Sequence, residues 1–252
     1  MFQAFCIANQ KGGVGKTTTA ISLADAFAKA AGRTLLIDLD PQCNATSGLG
    51  FRPLDAHPLV AGTPLVESVV PTQTENLELL PGTRKFADIE VLTRTDQRQN
   101  QRIRDRLAQE LNGYDFVLFD CPPSLGNLTQ IALSASTKVL IPVQCEFFAM
   151  EGFADQMTRV IEEVLAKRQG QQEFGEFCGV VLTMYDASLE FTHEVEADVR
   201  EFCGDIVFKT VIPRDVAFGE ASSYGRPILD YAPRSRGARA YTELCMEVLE
   251  RG

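Results

Sequence analysis

Asn9-Gln10-Lys11-Gly12-Gly13-Val14-Gly15-Lys16-Thr17-Thr18-Thr19 decides how this chain is read. An apolar run, Phe2 to Ala8, leads into it. Thr17 to Ala31 leads out with apolar residues at a helical period, and Gly32 ends that run. Strand, glycine loop and helix is the setting a phosphate-binding loop requires. Glycines let backbone N–H groups turn toward an anion with no Cβ in the way, and the following helix points its positive end at the same place. Gly12, Gly13, Val14, Gly15, Lys16, Thr17 and Thr18 are therefore the candidate nucleotide-binding residues. Lys16 can reach the β and γ phosphates, and the Thr17 hydroxyl is placed to ligate Mg²⁺. The general pattern G-x-x-x-x-G-K-[ST] asks for glycine where Gln10 stands, so the loop is a deviant one. Lys11, five residues before Lys16, is a second cation able to contact phosphate.

Two carboxylate-bearing strand ends follow. Thr34 to Asp38 reads as a buried strand that runs into Asp38-Leu39-Asp40-Pro41-Gln42, where Pro41 stops it. Open α/β sheets bind ligands at the C-terminal ends of strands. One of these carboxylates can hold Mg²⁺ through water, and the other can orient an attacking water. Tyr114 to Asp120 is a second apolar strand closed by a carboxylate, suited to accept from metal-bound water and from Thr17.

The rest of the chain alternates. Gly48 to Thr74 is rich in Pro and Gly and is expected to be a mobile excursion with one short helix around Leu65 to Val69. Leu77 to Leu80 is a strand ended by Pro81-Gly82. Phe86 to Leu111 reads as a helix carrying Arg94, Arg98, Arg102, Arg104 and Arg106, with Asp96, Asp105 and Glu110 among them, which suits a solvated face. Strands are expected at Lys138 to Val143, Phe177 to Met184 and Ile206 to Ile212, and helices at Phe147 to Lys167 and Glu190 to Phe202. In the tail, Arg234 to Glu250, the polar face of the helix carries Glu243, Glu247 and Glu250. That charge is wrong for a membrane-surface helix and right for one packed on the protein body. Strands and helices alternating at these lengths predict an α/β fold, a mostly parallel twisted sheet with helices on both faces, as one domain over residues 1–252.

Composition narrows the function classes. Of 252 residues 45% are apolar and 23% charged, ordinary for a globular chain able to bury a core. No apolar run approaches the roughly 20 residues of a membrane span, and Phe2 to Ala8 is too short for a signal peptide, so a cytoplasmic location is expected. The net charge of −10 gives no whole-surface attraction to nucleic acid. Seven cysteines without a C-x-x-C pair point to reduced thiols in or near the core. An iron–sulfur cluster bridging a dimer is the rival reading.

The segment Ala8 to Thr19 resembles the deviant Walker A box of the ParA/Soj partition ATPases, in the MinD/ParA group of P-loop NTPases. The likeness extends through Asp38 to Thr46 (D-x-D-P-Q-x-N-A-T), Asp120-Cys121-Pro122-Pro123, and Pro233 to Ala238. It implies ATP and Mg²⁺ as ligands and slow hydrolysis. It implies an ATP-sandwich homodimer in which Lys11 reaches the partner's nucleotide, with Asp40 positioning the lytic water and Asp38 supporting the magnesium shell. Pro213 and Asp215 would lie near the adenine, with Met184 able to add an apolar contact. The implied partners are a ParB-like or cargo-adaptor protein that stimulates hydrolysis, and non-specific DNA, with nucleoid association if DNA is bound. The likeness is to the short form without an N-terminal DNA-reading extension, so operator reading is not expected.

Two positions depart from the family pattern. Ser188 and Ala217 stand where arginines of the DNA-gripping patch are usual, and non-specific DNA binding is mostly phosphate neutralisation. Arg234, Arg236, Arg239, Lys209 and the Arg94 to Arg106 face remain as basic candidates. The departures leave two alternatives open: a ParA-like ATPase that positions a protein cargo, and a nucleotide-gated binding module with negligible turnover.

Overall fold

A computed structural model describes residues 2–30, 32–86, 103, 105–107, 109–124, 126–145 and 176–251. Ala31, the expected helix Phe147 to Lys167, and Arg94, Arg98, Arg102 and Arg104 of the expected basic face lie outside these residues. The strands are β1 (Gln3–Ile7), β2 (Thr34–Asp38), β3 (Val70–Pro71), β4 (Leu77–Leu80), β5 (Phe116–Asp120), β6 (Lys138–Gln144), β7 (Glu176–Tyr185) and β8 (Val207–Pro213). They form one sheet in the order β3-β4-β2-β5-β1-β6-β7-β8. Among the described residues only β3 and β4 pair antiparallel; the other neighbours are parallel.

Period-two alternation makes two cores, one on each face of the sheet. Ala4 and Cys6 of β1, Leu35 and Ile37 of β2, and Val117 and Phe119 of β5 face one. Phe5, Ile7, Leu36 and Leu118 face the other. The second core is organised by helix α1 (Lys16–Ala30), which is buried over most of its length. Alanines at 20, 24, 26 and 28 let it lie close to the strands. Phe27 stacks on Phe5 at 5.3 Å and on Phe116 at 4.6 Å between ring centroids, which fixes the helix over β1 and β5. The loop between β1 and α1 is thereby held at the middle of the sheet, where connections on either side diverge and ligands collect.

The stretch Gly48 to Thr74 holds more than the one helix expected from sequence. It contains α3 (Pro58–Ala61), a 3₁₀ turn at Leu65–Glu67, and β3. Pro71 is tolerated in β3 because that strand is at the sheet's edge. The described residues also hold the short helices α2 (Asn44–Gly48), α6 (Ala217–Ser223) and α7 (Ile228–Tyr231), and the longer α4 (Asn127–Ala135), α5 (Glu190–Cys203) and α8 (Arg236–Glu250). The apolar side of α8, including Ala240, Tyr241, Leu244 and Val248, is buried in the second core. Among the described residues no helix is long and apolar enough to cross a membrane. All seven cysteines are free thiols, five of them buried.

The turn after α2 meets the corner between α6 and α7 through two glycines. Gly50 and Gly225 both have positive φ (82° and 64°), and a Cβ on Gly225 would sit 2.7 Å from the Gly50 Cα. Gly62 also has positive φ but faces open space. Gly62→Ala should therefore lose only the left-handed strain, about 1–2 kcal/mol. Gly225→Ala should lose more, because backbone must also move apart. Urea unfolding of the two variants beside the parent chain measures this; equal losses would mean the glycine contact carries no packing.

Candidate nucleotide-binding site

The loop from Asn9 to Gly15 is tied down on both flanks. Asn9 donates from Nδ2 to the Pro142 carbonyl (2.8 Å) and accepts at Oδ1 from the Lys11 N–H (3.0 Å). The Thr183 hydroxyl, at the C-terminal end of β7, donates to the Val14 carbonyl (2.9 Å). Gly13 and Gly15 take φ of 76° and 85°. A Cβ on Gly12 or Gly13 would meet nothing within 4 Å, so the loop opens onto a space large enough for phosphate oxygens. Lys16 starts α1, is 6% exposed, and bends back so that Nζ donates to the Lys11 carbonyl at 2.9 Å. Burial lowers its pKa; Asp120 and Asp40 act against that and hold the charge. Lys11 itself is half-buried on the loop's rim.

Three carboxylates gather on the other side of Lys16. Asp38 and Asp120 end neighbouring parallel strands in register, and both are fully buried. Asp120 has no hydrogen-bond partner on either oxygen. Thr17 is near enough to favour its ionised form, but no bond within 3.5 Å is completed. Burial first, and then Asp38, push the Asp120 carboxyl well above the usual carboxylate range. Two orphaned carboxylate oxygens beside a threonine hydroxyl and an open phosphate cradle fit a hard divalent cation that shares its shell with phosphate and water.

Asp38 is differently placed. Its Oδ1 accepts from the Asp40 N–H (3.1 Å), and its Oδ2 accepts from the Thr46 N–H (2.8 Å) and hydroxyl (2.6 Å). Burial nonetheless raises its pKa to about 6, against the pull of those bonds. Asp40 is 5% exposed, and its Oδ1 accepts from the Gln42 N–H.

A cavity of about 510 Å³ opens beside the loop, lined in part by Gly15, Thr18, Met184, Pro213, Phe218 and Tyr241. Its size and apolar walls suit a purine base. Met184 adopts a left-handed backbone (φ 54°) at its rim. Asp215 also borders it, but its oxygens accept from the Ala217 N–H and the Gly237 N–H, both at 3.0 Å. The Asp215 carboxylate thus ties the starts of α6 and α8 together as a wall of the cavity.

A family model described as an AAA domain matches residues 2–173. The sporulation initiation inhibitor protein Soj of Bacillus subtilis is 41% identical over 257 residues, covering 100% of each chain. The chromosome partitioning protein ParA of Caulobacter vibrioides is 43% identical over 256 residues, covering 99% of this chain and 94% of its own. The chain belongs to the ParA/Soj family of partition ATPases. Among solved structures, a cobyrinic acid a,c-diamide synthase of Mycobacterium smegmatis, bound to an ATP analogue and magnesium, aligns with a TM-score of 0.83 at 30% identity. That alignment covers 99% of this chain and 95% of the other.

Within this ParA/Soj chain the two departures have structural settings. Ser188 is exposed, and its N–H and hydroxyl both donate to Asp186 Oδ1 (3.0 and 2.7 Å). Ala217 is buried at the start of α6. Arg236 is exposed and donates to the Arg214 carbonyl (3.2 Å), whereas Arg106 pairs with Glu110 and donates to the Pro58 carbonyl, so it faces inward. Sequence reasoning missed the residues that brace the site from a distance: Asn9, Thr183, Thr46 and Gly82.

Asp38 gives a pH signature. In the unfolded chain it ionises near pH 4, in the nucleotide-free folded protein near 6. Between those values the folded state holds the extra proton, so its stability falls as pH rises from about 4 to about 6, by up to about 3 kcal/mol. Denaturant unfolding across that range should show this loss in the parent chain and a flatter profile in Asp38→Asn. A parent profile no steeper than the variant's would contradict it.

Proposed function

We propose that this chain is a Mg²⁺-dependent, dimerising ATPase of the partition type. The observation that carries the reading is the convergence of an open, lysine-bearing phosphate cradle on an orphaned, buried Asp120. The loop N–H groups and Lys16 bind the phosphates, and Thr17 and Asp120 hold the metal, with Asp38 acting through shell water. Bound magnesium neutralises charge on the β and γ phosphates. Met184 and Pro213 pack on the base, and Asp215 shapes the wall they share. Asp40 orients the water for attack on the γ-phosphoryl group, and turnover is slow until a partner protein accelerates it. Lys11, on the loop's rim, reaches the nucleotide of a second copy, so that ATP closes the dimer and hydrolysis opens it.

In this reading the ATP-bound dimer of a cytoplasmic protein travels on nucleoid DNA and serves chromosome or plasmid segregation. A second reading keeps the ATP switch but moves a protein cargo. It is favoured by Ser188, which is engaged with an acidic neighbour, and by the buried Ala217, at positions where phosphate-gripping arginines would stand. Arg234, Arg236, Arg239 and Lys209 are all exposed and supply the charge for the first reading.

Three measurements test these statements. Lys16→Ala should abolish ATP binding in equilibrium titration, while Lys11→Ala should keep binding and lose the ATP-dependent dimer in light scattering; normal binding by Lys16→Ala would refute the loop assignment. Asp40→Ala, held as the ATP dimer, should bind non-specific duplex DNA with affinity that falls as log[salt] rises, by a slope of about 0.9 per phosphate contact. A dimer that ignores DNA even at low salt would select the cargo reading.

A further inference from the structure

The backbone of Asp40 is held by a chain of contacts that reaches beyond its own stretch of sequence, while its carboxylate accepts locally from the Gln42 N–H. It follows β2, and its N–H is fixed by Asp38 Oδ1 (3.1 Å). Asp38 can offer that oxygen only in one rotation of its carboxylate. The rotation is set by Thr46, from α2, whose N–H and hydroxyl both hold the opposite oxygen, Oδ2. The Thr46 hydroxyl has its own acceptor role as well: the Gly82 N–H, in the turn after β4, donates to it at 2.8 Å. Gly82 presses against Asp38 so closely that a Cβ there would meet the carboxylate carbon at 3.0 Å. Asp38, Thr46 and Gly82 are thus locked together with no solvent access at Asp38 or Thr46.

We infer that Thr46 is a positioning residue for hydrolysis, acting through Asp38 on Asp40. A single hydroxyl, donating to Asp38 and accepting from Gly82, joins α2, the end of β2 and the turn after β4. Its hydroxyl is committed to Asp38 and Gly82, and its effect is to hold the backbone of Asp40 where water can be aligned. The inference rests on Asp40 having the role proposed above.

Thr46→Val keeps the shape and removes the hydroxyl; Thr46→Ser keeps the hydroxyl. With Mg-ATP, T46V should lower kcat by about 10- to 100-fold, the usual effect of losing an outer-shell hydrogen bond, with KM within about twofold. T46S should restore most of the turnover. Unchanged kcat in T46V, a T46S variant as slow as T46V, or KM rising in step with the loss of kcat would each overturn the inference. Amide hydrogen exchange of the nucleotide-free protein is read alongside. The Asp40 and Gly82 N–H groups should exchange faster in T46V than in the parent, with α1 unchanged; equal protection there would overturn the lock itself. Failure of the parent chain to hydrolyse ATP would instead sink the role assigned to Asp40, and the exchange data would still decide whether Thr46 holds it.

Discussion

Asp120 is a carboxylate with no solvent exposure, no hydrogen-bond partner, and Asp38 level with it on the next strand. Leaving a buried charge in that condition is costly, and the free protein relieves it by drawing the carboxyl toward its protonated form. Most of the site can be understood as an answer to that demand. Lys16 is carried in at the start of α1, and its own charge is sustained by Asp120 and Asp40. Three carboxylates still outnumber one ammonium group. The arrangement is incomplete as protein alone: a divalent cation would bring the missing positive charge and a partner for the two Asp120 oxygens.

The scaffold makes that concentration of charge tolerable. β1 sits between β5 and β6, with both its faces in apolar cores, so the loop leaving it starts from a rigid base. Asn9 and Thr183 then pin the loop to β6 and β7, across the strand order from the carboxylates. The phosphate cradle is thereby held from one half of the sheet and the acidic groups from the other. The base cavity belongs to the first half, closed by α6 and α8, whose starts Asp215 ties together. The loop, the carboxylates and the cavity thus come from separate parts of the fold that meet beside Lys16.

How much of this was written locally follows from residue patterns. Strands β1, β2 and β4 to β8 are apolar runs, β2 and β5 closed by Asp and β4 and β8 by Pro, and α1, α5 and α8 carry a clear helical period; all were legible. The short helices α2, α3, α6 and α7 were not, because helices of 4 to 7 residues are held by tertiary contacts that propensity does not encode. β3 was hidden by its proline. In the candidate site, the loop residues and strand-end carboxylates that the structure brings together announced themselves through spacing and position. The bracing contacts did not: Thr46 lay inside the quoted Asp38 to Thr46 stretch with no role assigned, and Gly82 is thirty-six positions from Thr46, so no local pattern joins those two. Asp215 was legible as a member of the cavity, while the engagement of both its oxygens with backbone N–H groups emerges only when α6 and α8 are brought side by side.

The same contrast marks which part of the site can move. Helix α1 buries eleven residues, so shifting it would break two aromatic stacks and much of a core. Helix α2 buries three, Ala45, Thr46 and Gly48, none of them large. It is held instead by polar bonds to Asp38 and by a glycine contact at Gly50, and a hydrogen bond contributes only about 1 kcal/mol net. An element held by a few such bonds has alternatives within a few kcal/mol, the range over which a ligand's differential affinity shifts populations. Asp38 is the point where α2 meets the site, and its partner across the sheet is Asp120. A cation held at Asp120 would change the charge that Asp38 faces, and with it the strength of the bonds holding α2. Of the two helices beside the site, α2 is therefore the one such a change would reach, while α1 is anchored by the core.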